Sequence, residues 1–353
     1  MPLHNSIENY KHTRNPFLDL LKAYAIILVV WGHCIQYGAG QAYGDNNLYY
    51  ENVVFQTIYS FHMPLFMLIS GFLFGFSIKK GWIECIHKKF HTLLVPSFVW
   101  AILFFAIALG EKLVCNEPIT LWASVKGYLM YALFSFWFLW AIFGCSLLVA
   151  LVNRFFKDSI WIYVAIFIAS FFVTDSFNIG MYKYMYPYFL AGYFFQKFNG
   201  KDSVGVYLKR PSFCIGMGLL FSVALYFFTP ECFIYTTGHS LIGKDMPFQL
   251  GVDLYRYAIG FLGCAFSVSL IYQLSTCCAT SNILNTIGRE TMGIYIISSF
   301  INVHLLQRIT CGSDGPHFFL IGIESIVIVL CCHVIICLIK KSRFLSRYLL
   351  GSR

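Results

Sequence analysis

The sequence predicts an all-α fold: a polytopic integral membrane protein with about ten transmembrane helices and both termini in the cytoplasm. Three observations lead there. Apolar stretches of about 20 residues recur along the 353-residue chain, each long enough to cross about 30 Å of hydrocarbon. Only 12% of the residues are charged, against about 25% in a soluble domain, a deficit that one hydrophobic core cannot explain. The basic residues, finally, crowd onto alternate connections.

The expected spans are 17–37, 53–78, 96–114, 128–152, 159–177, 180–196, 212–229, 252–274, 291–309 and 317–339. With these bounds, 19 of the 25 Lys and Arg residues fall on one side, Lys11, Arg14, Lys201 and Arg353 among them. The other six, including Lys183, Arg256 and Arg308, fall opposite. Cytoplasmic connections carry the excess of Lys and Arg, so the 19-residue side is inside, and an odd number of spans would misplace the basic stretch 340–353. The net charge of +9 is thus a topology signal and not a nucleic-acid footprint. The expected partner surface is membrane lipid, with no nucleic acid.

The first span could pass for a cleaved leader ending at Gly38-Ala39-Gly40, but Asp19 and Lys22 stand where an uncharged region should begin. It reads as a retained helix. The chain reads as one membrane domain, 1–353, with a cytoplasmic tail at 1–16 and a basic one at 340–353. Its longer connections are 38–52, 79–95, 197–211 and 230–251, and Phe198–Ser203 has turn composition. Pro16, Pro96, Pro211 and Pro316 mark helix starts, whereas Pro64 and Pro187 fall within spans and should kink them. The 13 cysteines are scattered, with pairs only at Cys277–Cys278 and Cys331–Cys332, and read as packing residues. No metal spacing is present.

Ionisable groups at membrane depth propose function. On the first helix Lys22 and His33, eleven positions apart, point within about 20° of each other, and Asp19 and His33 within about 40°. The three form a polar stripe with His33 roughly 16 Å deeper than Lys22. A histidine kept from water stays neutral and basic near pH 7, as a general base for a hydroxyl must, while Lys22 is placed to meet an anion such as the phosphates of a nucleotide-like donor. The plainer alternative has Lys22 snorkelling to the interface and pairing with Asp19, while His33 bonds a neighbouring helix.

His62, before the kinking Pro64, is a second candidate base or a structural donor, and Ser70-Gly71 offers a small patch for close helix approach. His87-Lys88-Lys89-Phe90-His91 either grips phosphates or marks topology and anionic lipid. Asp253 and Arg256 can pair at i,i+3. Glu111, Asp175, His304, Glu324 and His333 complete the membrane-depth set.

The run Asp19–Lys22–His33 resembles the first helix of the membrane-bound acyltransferase family 3, O-acyltransferases that decorate cell-surface polysaccharides. That family reads Asp-x-x-Arg, ten residues, then His, and Lys22 here takes the arginine position. Phe61–Phe72 (FHMPLFMLISGF), 93–98 (LLVPSF), 135–140 (SFWFLW), 187–195 (PYFLAGYFF) and 284–297 (LNTIGRETMGIYII) are similar to further family segments in the same order, so the resemblance covers nearly the whole chain. An R-x-x-R element before the third helix is reduced to Lys89 with Thr92, and a frequent late histidine aligns with Ser298.

The resemblance implies acetyl-CoA or another short acyl-CoA as donor, a cell-surface or lipid-linked glycan hydroxyl as acceptor, and the bacterial inner membrane as location. The candidate catalytic residues are His33, as base, with Asp19 and His62. The candidate donor-binding residues are Lys22, Lys88, Lys89 and His91. A transporter or exporter of a polysaccharide or lipid-linked sugar, or a membrane assembly partner without catalysis, are the alternative functions. The lack of internal repeats weighs against the transporter.

Overall fold

The computed structural model describes residues 15–116, 118–198, 207–277, 282–306 and 318–352. Lys11, Arg14, Lys201, Arg308, Pro316, Arg353, Cys278 and most of the 198–203 turn lie outside them, as do the side chains of Cys277 and His304.

Helix α1, Pro16–Gly38, begins as the sequence predicts: Pro16 lacks only an N–H that would have no helical partner, and Asn15 caps it, accepting from the Phe17 amide at 3.0 Å. Helix α2, Val53–Ser77, is capped by Asn52, which accepts from the Phe55 amide at 3.0 Å, and contains Pro64. Helix α3, Trp82–Val114, passes through a π turn at Phe90–Leu94. Then come α4, Leu121–Met130, and α5, Trp137–Phe156, with a π turn at Tyr131–Ser135 between them. Helices α6, Ile160–Ser170, α7, Ile179–Phe198, α8, Pro211–Tyr226, and α9, Met246–Cys277, follow. The chain continues with α10, Asn282–Arg289, α11, Thr291–Phe300, a π turn at Ile301–Leu306, α12, Phe318–Lys340, and α13, Arg343–Leu350.

Among the described residues there is no strand, and six helices, α1, α2, α3, α5, α9 and α12, are long and apolar enough to cross a membrane. Three expectations need correction. The span 128–152 is broken, because Phe136 adopts φ −107°, ψ 40°, outside the helical region. The indole of Trp140 donates to the Ala132 carbonyl at 3.1 Å and so bonds an acceptor beside the break. The span 159–177 is helical only to Ser170, about 16 Å, and then turns through Phe177 and Asn178 at positive φ. The connection 79–95 is mostly helix: Pro96 stands at the start of the α-helical stretch Val95–Val114, as expected, but that stretch continues from Trp82–Lys89, and the Val95 amide bonds the Phe90 carbonyl across the π turn between them.

Helix α1 is the axis of the bundle, touching α2, α9, α10, α11 and α12. A close crossing joins α2 and α7. A Cβ on Gly71 would collide with the Phe189 carbonyl, and one on Gly192 with the Leu68 carbonyl, so the two backbones touch as small-residue packing allows. The close approach expected at Gly71 is therefore present. Lys22, the first turns of α3 and helix α13 gather at one end, called here the basic end. There the 340–353 tail is no loose segment: Trp100 of α3 donates to the Leu349 carbonyl at 2.9 Å.

Candidate active site

Two cavities lie in series along α1. The first, at the basic end, measures about 160 Å³ and is apolar apart from Lys22, Ser70, Lys89, Thr291 and the Tyr295 hydroxyl. The second, farther along, measures about 340 Å³ and holds His33 and His62 within an aromatic wall of Tyr37, Tyr59, Tyr131, Phe136, Trp137, Tyr235 and Tyr295. Met63 and Tyr295 line both. On α1 the lining residues are Lys22, Ile26, Val29, His33 and Tyr37, one face at helical spacing. The shared face expected for Lys22 and His33 is what the packing uses.

His62 is buried, and its Nδ1 lies 2.7 Å from the Ile58 carbonyl. A carbonyl only accepts, so Nδ1 carries the proton and Nε2 keeps a lone pair. His33 sits on the facing wall with its Nδ1 buried and without a hydrogen-bond partner, its ring 6.1 Å from that of Tyr37. The Tyr59 ring, 4.7 Å from His62, fits against α1 only because residue 32 is glycine: a Cβ there would stand 2.7 Å from Tyr59 Cε2. Gly32 thus sets how the two histidine-bearing helices meet.

Asp19 is not brought to His33. It is buried at the basic end, where Lys22 Nζ lies 2.8 Å from Oδ1 and Arg289 Nε 3.2 Å from Oδ2. The backbone of α10 crosses there, since a Cβ on Gly288 would strike the Asp19 carbonyl. The cluster at 87–91 is divided. Lys89 turns into the first cavity, whereas His87, Lys88 and His91 line a separate cleft with Thr92, Arg347 and Ser352. His87 and His91 bond each other there through Nε2 at 3.2 Å.

A sequence model of the acyltransferase domain of family 3 matches residues 15–341. The chain belongs to acyltransferase family 3. It is similar to nodulation protein NolL of Mesorhizobium japonicum, 31% identical over 52% of this chain and 48% of that protein. It is likewise similar to nodulation protein NolL of Sinorhizobium fredii, 31% identical over 52% of this chain and 49% of that one. The chain spans about half the length of these curated relatives. No solved structure matches it.

Several contacts in this family 3 chain escaped the sequence reading. Arg289, inside the segment 284–297, is the second partner of Asp19. Ser298 is buried and donates to the Tyr295 carbonyl at 3.3 Å, while its neighbour Ser299 lines the histidine cavity. Asp158 accepts from Asn153, Tyr163, Tyr193 and Lys197 at 2.6–2.8 Å and ties α5, α6 and α7 together. Burial pushes its carboxyl up, but these four donors outweigh that and hold it below the ordinary range. Glu290, His333 and Cys337 have ligand atoms within 4.8 Å of one another, yet both Glu290 oxygens already bond, one to His333 at 2.6 Å and the other to Lys340 at 2.5 Å. That arrangement suits an ion-pair network between α11 and α12 better than a metal. The expected pair Asp253–Arg256 forms at 2.6 Å.

Proposed function

We propose that the chain is a membrane O-acyltransferase that moves an acetyl or other short acyl group from acyl-CoA to a hydroxyl of a cell-surface or lipid-linked glycan in the bacterial inner membrane. One observation carries this reading: a cavity with two lysines and a cavity with two histidines share the walls Met63 and Tyr295. With the basic end cytoplasmic, as the Lys and Arg bias argues, acyl-CoA presents its phosphates to Lys22 and Lys89. Its extended pantetheine arm then follows the face of α1 for about 16 Å, and the thioester meets the histidines near Met63. The acceptor enters from the far end.

His33 acts as general base. It takes the hydroxyl proton as the oxygen attacks the thioester carbonyl, the C–S bond breaks, and the proton passes to the departing thiolate. His62, with its lone pair on Nε2, bonds the same hydroxyl or stands in as base. Asp19 serves as a positioning residue that keeps Lys22 on the cavity face. The test is transfer of radiolabelled acetyl from acetyl-CoA to glycan in membranes carrying the parent or His33→Gln. Label in glycan with the parent and its loss in the variant support the proposal. No label with the parent, in membranes where the protein is folded and acceptor glycan is abundant, rejects it.

A further inference from the structure

A buried guanidinium gathers the segment between α8 and α9. Arg256 of α9, 2% exposed, donates through Nε to the Cys232 carbonyl at 2.8 Å, through Nη1 to the Gly238 carbonyl at 2.9 Å, and through Nη2 to Thr237 Oγ1 at 2.6 Å. The Glu231 and Phe233 carbonyls stand at 3.5 and 3.4 Å. Asp253, one turn earlier and 1% exposed, accepts from Nη1 at 2.6 Å and from Gln249 at 3.1 Å. Gly238, where the segment turns back, has φ 63°, ψ −158°, a conformation essentially restricted to glycine. A second anchor follows directly: Asp175 accepts the amides of His239 and Ser240, both at 2.8 Å.

A buried ion pair is weak evidence for stability, because desolvating two charges offsets much of their attraction. What this one adds is a fixed position for the backbone of 231–238, since the planar fork matches several acceptors at once. That backbone carries one aromatic ring to the histidine cavity and a second to the residues packed behind Tyr59. Phe233 is buried, 4.7 Å from Tyr50 and 5.6 Å from Phe55 by ring centroids. Tyr235 lines the cavity itself and stands 6.4 Å from Tyr59, the ring that also packs on His62.

We propose that Arg256 and Asp253 are positioning residues for the acceptor: they clamp segment 231–238 across the far end of the histidine cavity, making Tyr235 the wall against which an incoming ring alcohol is turned towards His33. The acceptor part rests on the transfer reading above, whereas the clamp can be tested without any transfer.

The experiment uses the full chain in right-side-out vesicles, with the exposed Cys115, Cys331 and Cys337, and also Cys277, Cys278 and Cys311, replaced by Ser and Ser299→Cys as reporter inside the cavity. A membrane-impermeant maleimide labels the reporter slowly in this parent. Asp253→Asn with Arg256→Gln removes both charges together, so neither is left unpaired, and should label at least about tenfold faster through local opening. Tyr235→Ala, with the clamp intact, should also label faster. Arg256→Lys should fall between, as lysine keeps the charge and loses the fork. Labelling of Cys264, buried between α2 and α9, reports loss of the fold, and a rise confined to Ser299→Cys supports the clamp. Unchanged Ser299→Cys labelling in the double variant overturns the clamp, and unchanged labelling in Tyr235→Ala overturns Tyr235 as the wall. If the double variant loses its fold, Arg256→Lys decides: labelling equal to the parent overturns the clamp.

Discussion

His62 donates its Nδ1 proton to the carbonyl of Ile58, 2.7 Å away on the preceding turn of α2. This bond orients the ring and leaves Nε2 as acceptor, so the cavity contains one histidine with an assigned tautomer and one, His33, whose Nδ1 has no partner. A positioned base is worth about 10²–10⁴-fold. His33→Gln should therefore lose about 3–5 kcal/mol of transition-state stabilisation, read as acyl transfer by purified protein of verified fold. His62→Gln should lose less. Transfer by His33→Gln within about threefold of the parent would move the base to His62.

The Asp19 carboxylate bridges Lys22 and Arg289. Lys22→Ala should weaken acyl-CoA binding in titration calorimetry, while Lys22→Arg keeps much of it by retaining the charge. Asp19→Asn should weaken binding as well and lower stability by about 3 kcal/mol, because Lys22 then lacks its closest partner in a largely buried site. Equal donor affinity in the parent and Lys22→Ala would remove Lys22 from the donor site.

At the α2–α7 crossing, Gly71→Ala should be costly, since the added methyl meets a backbone carbonyl and not a side chain that can move. A loss of about 1–3 kcal/mol or more is expected, seen as a lower Tm in detergent. Gly110→Ala on α3, where a Cβ meets nothing within 4 Å, is the control and should be neutral or slightly stabilising. Equal Tm for the two variants would contradict the packing.

Asp175 lies in the turn after α6. Burial pushes its carboxyl up, but Lys183 and the amides of Ser240 and His239 outweigh this and hold it at about 2. A carboxylate with a depressed value stabilises the fold above its unfolded value of about 3.9 and loses that contribution as the pH falls through the folded value. The anchor at 239–240 should therefore weaken between about pH 4 and pH 2. Thermal unfolding of the parent should fall more steeply over that window than that of Asp175→Asn. Equal slopes would remove Asp175 as the titrating anchor.

Topology is checked by reporter fusions after Lys157 and after Arg353, which should both read cytoplasmic. A fusion on the far side at either position would overturn the orientation of the basic end.

Local features were legible in the sequence. One helix brings Lys22 and His33 to one face by periodicity alone, and both open on the cavities. The Asp253–Arg256 pair followed from i,i+3 spacing, but its backbone acceptors at 232–238 depend on how a connection folds back over α9, which no pattern announces. Arg289 reaches Asp19 from 270 positions away. His62 joins His33 only through the fit of Tyr59 on Gly32. The break at Phe136 has no proline or glycine to signal it. Nor are the three π turns written in any residue pattern, yet each supplies a cavity wall: Leu93 from the first, Tyr131 and Ser135 from the second, Val303 from the third. Such turns often sit at functional sites.

The first of these turns gives α3 a buffer against a change of one residue in its length. It accommodates one residue more than an α turn, so deleting a residue between Phe90 and Leu94 would leave an ordinary α turn, with Trp82–Lys89 facing much as before against Val95–Val114. Lys89 would then keep its place beside the first cavity, and Lys88 its place in the neighbouring cleft. The turn thus absorbs a slip of one residue, and a chain carrying Lys89→Ala together with a one-residue deletion in the turn should still lack that cation at the cavity mouth.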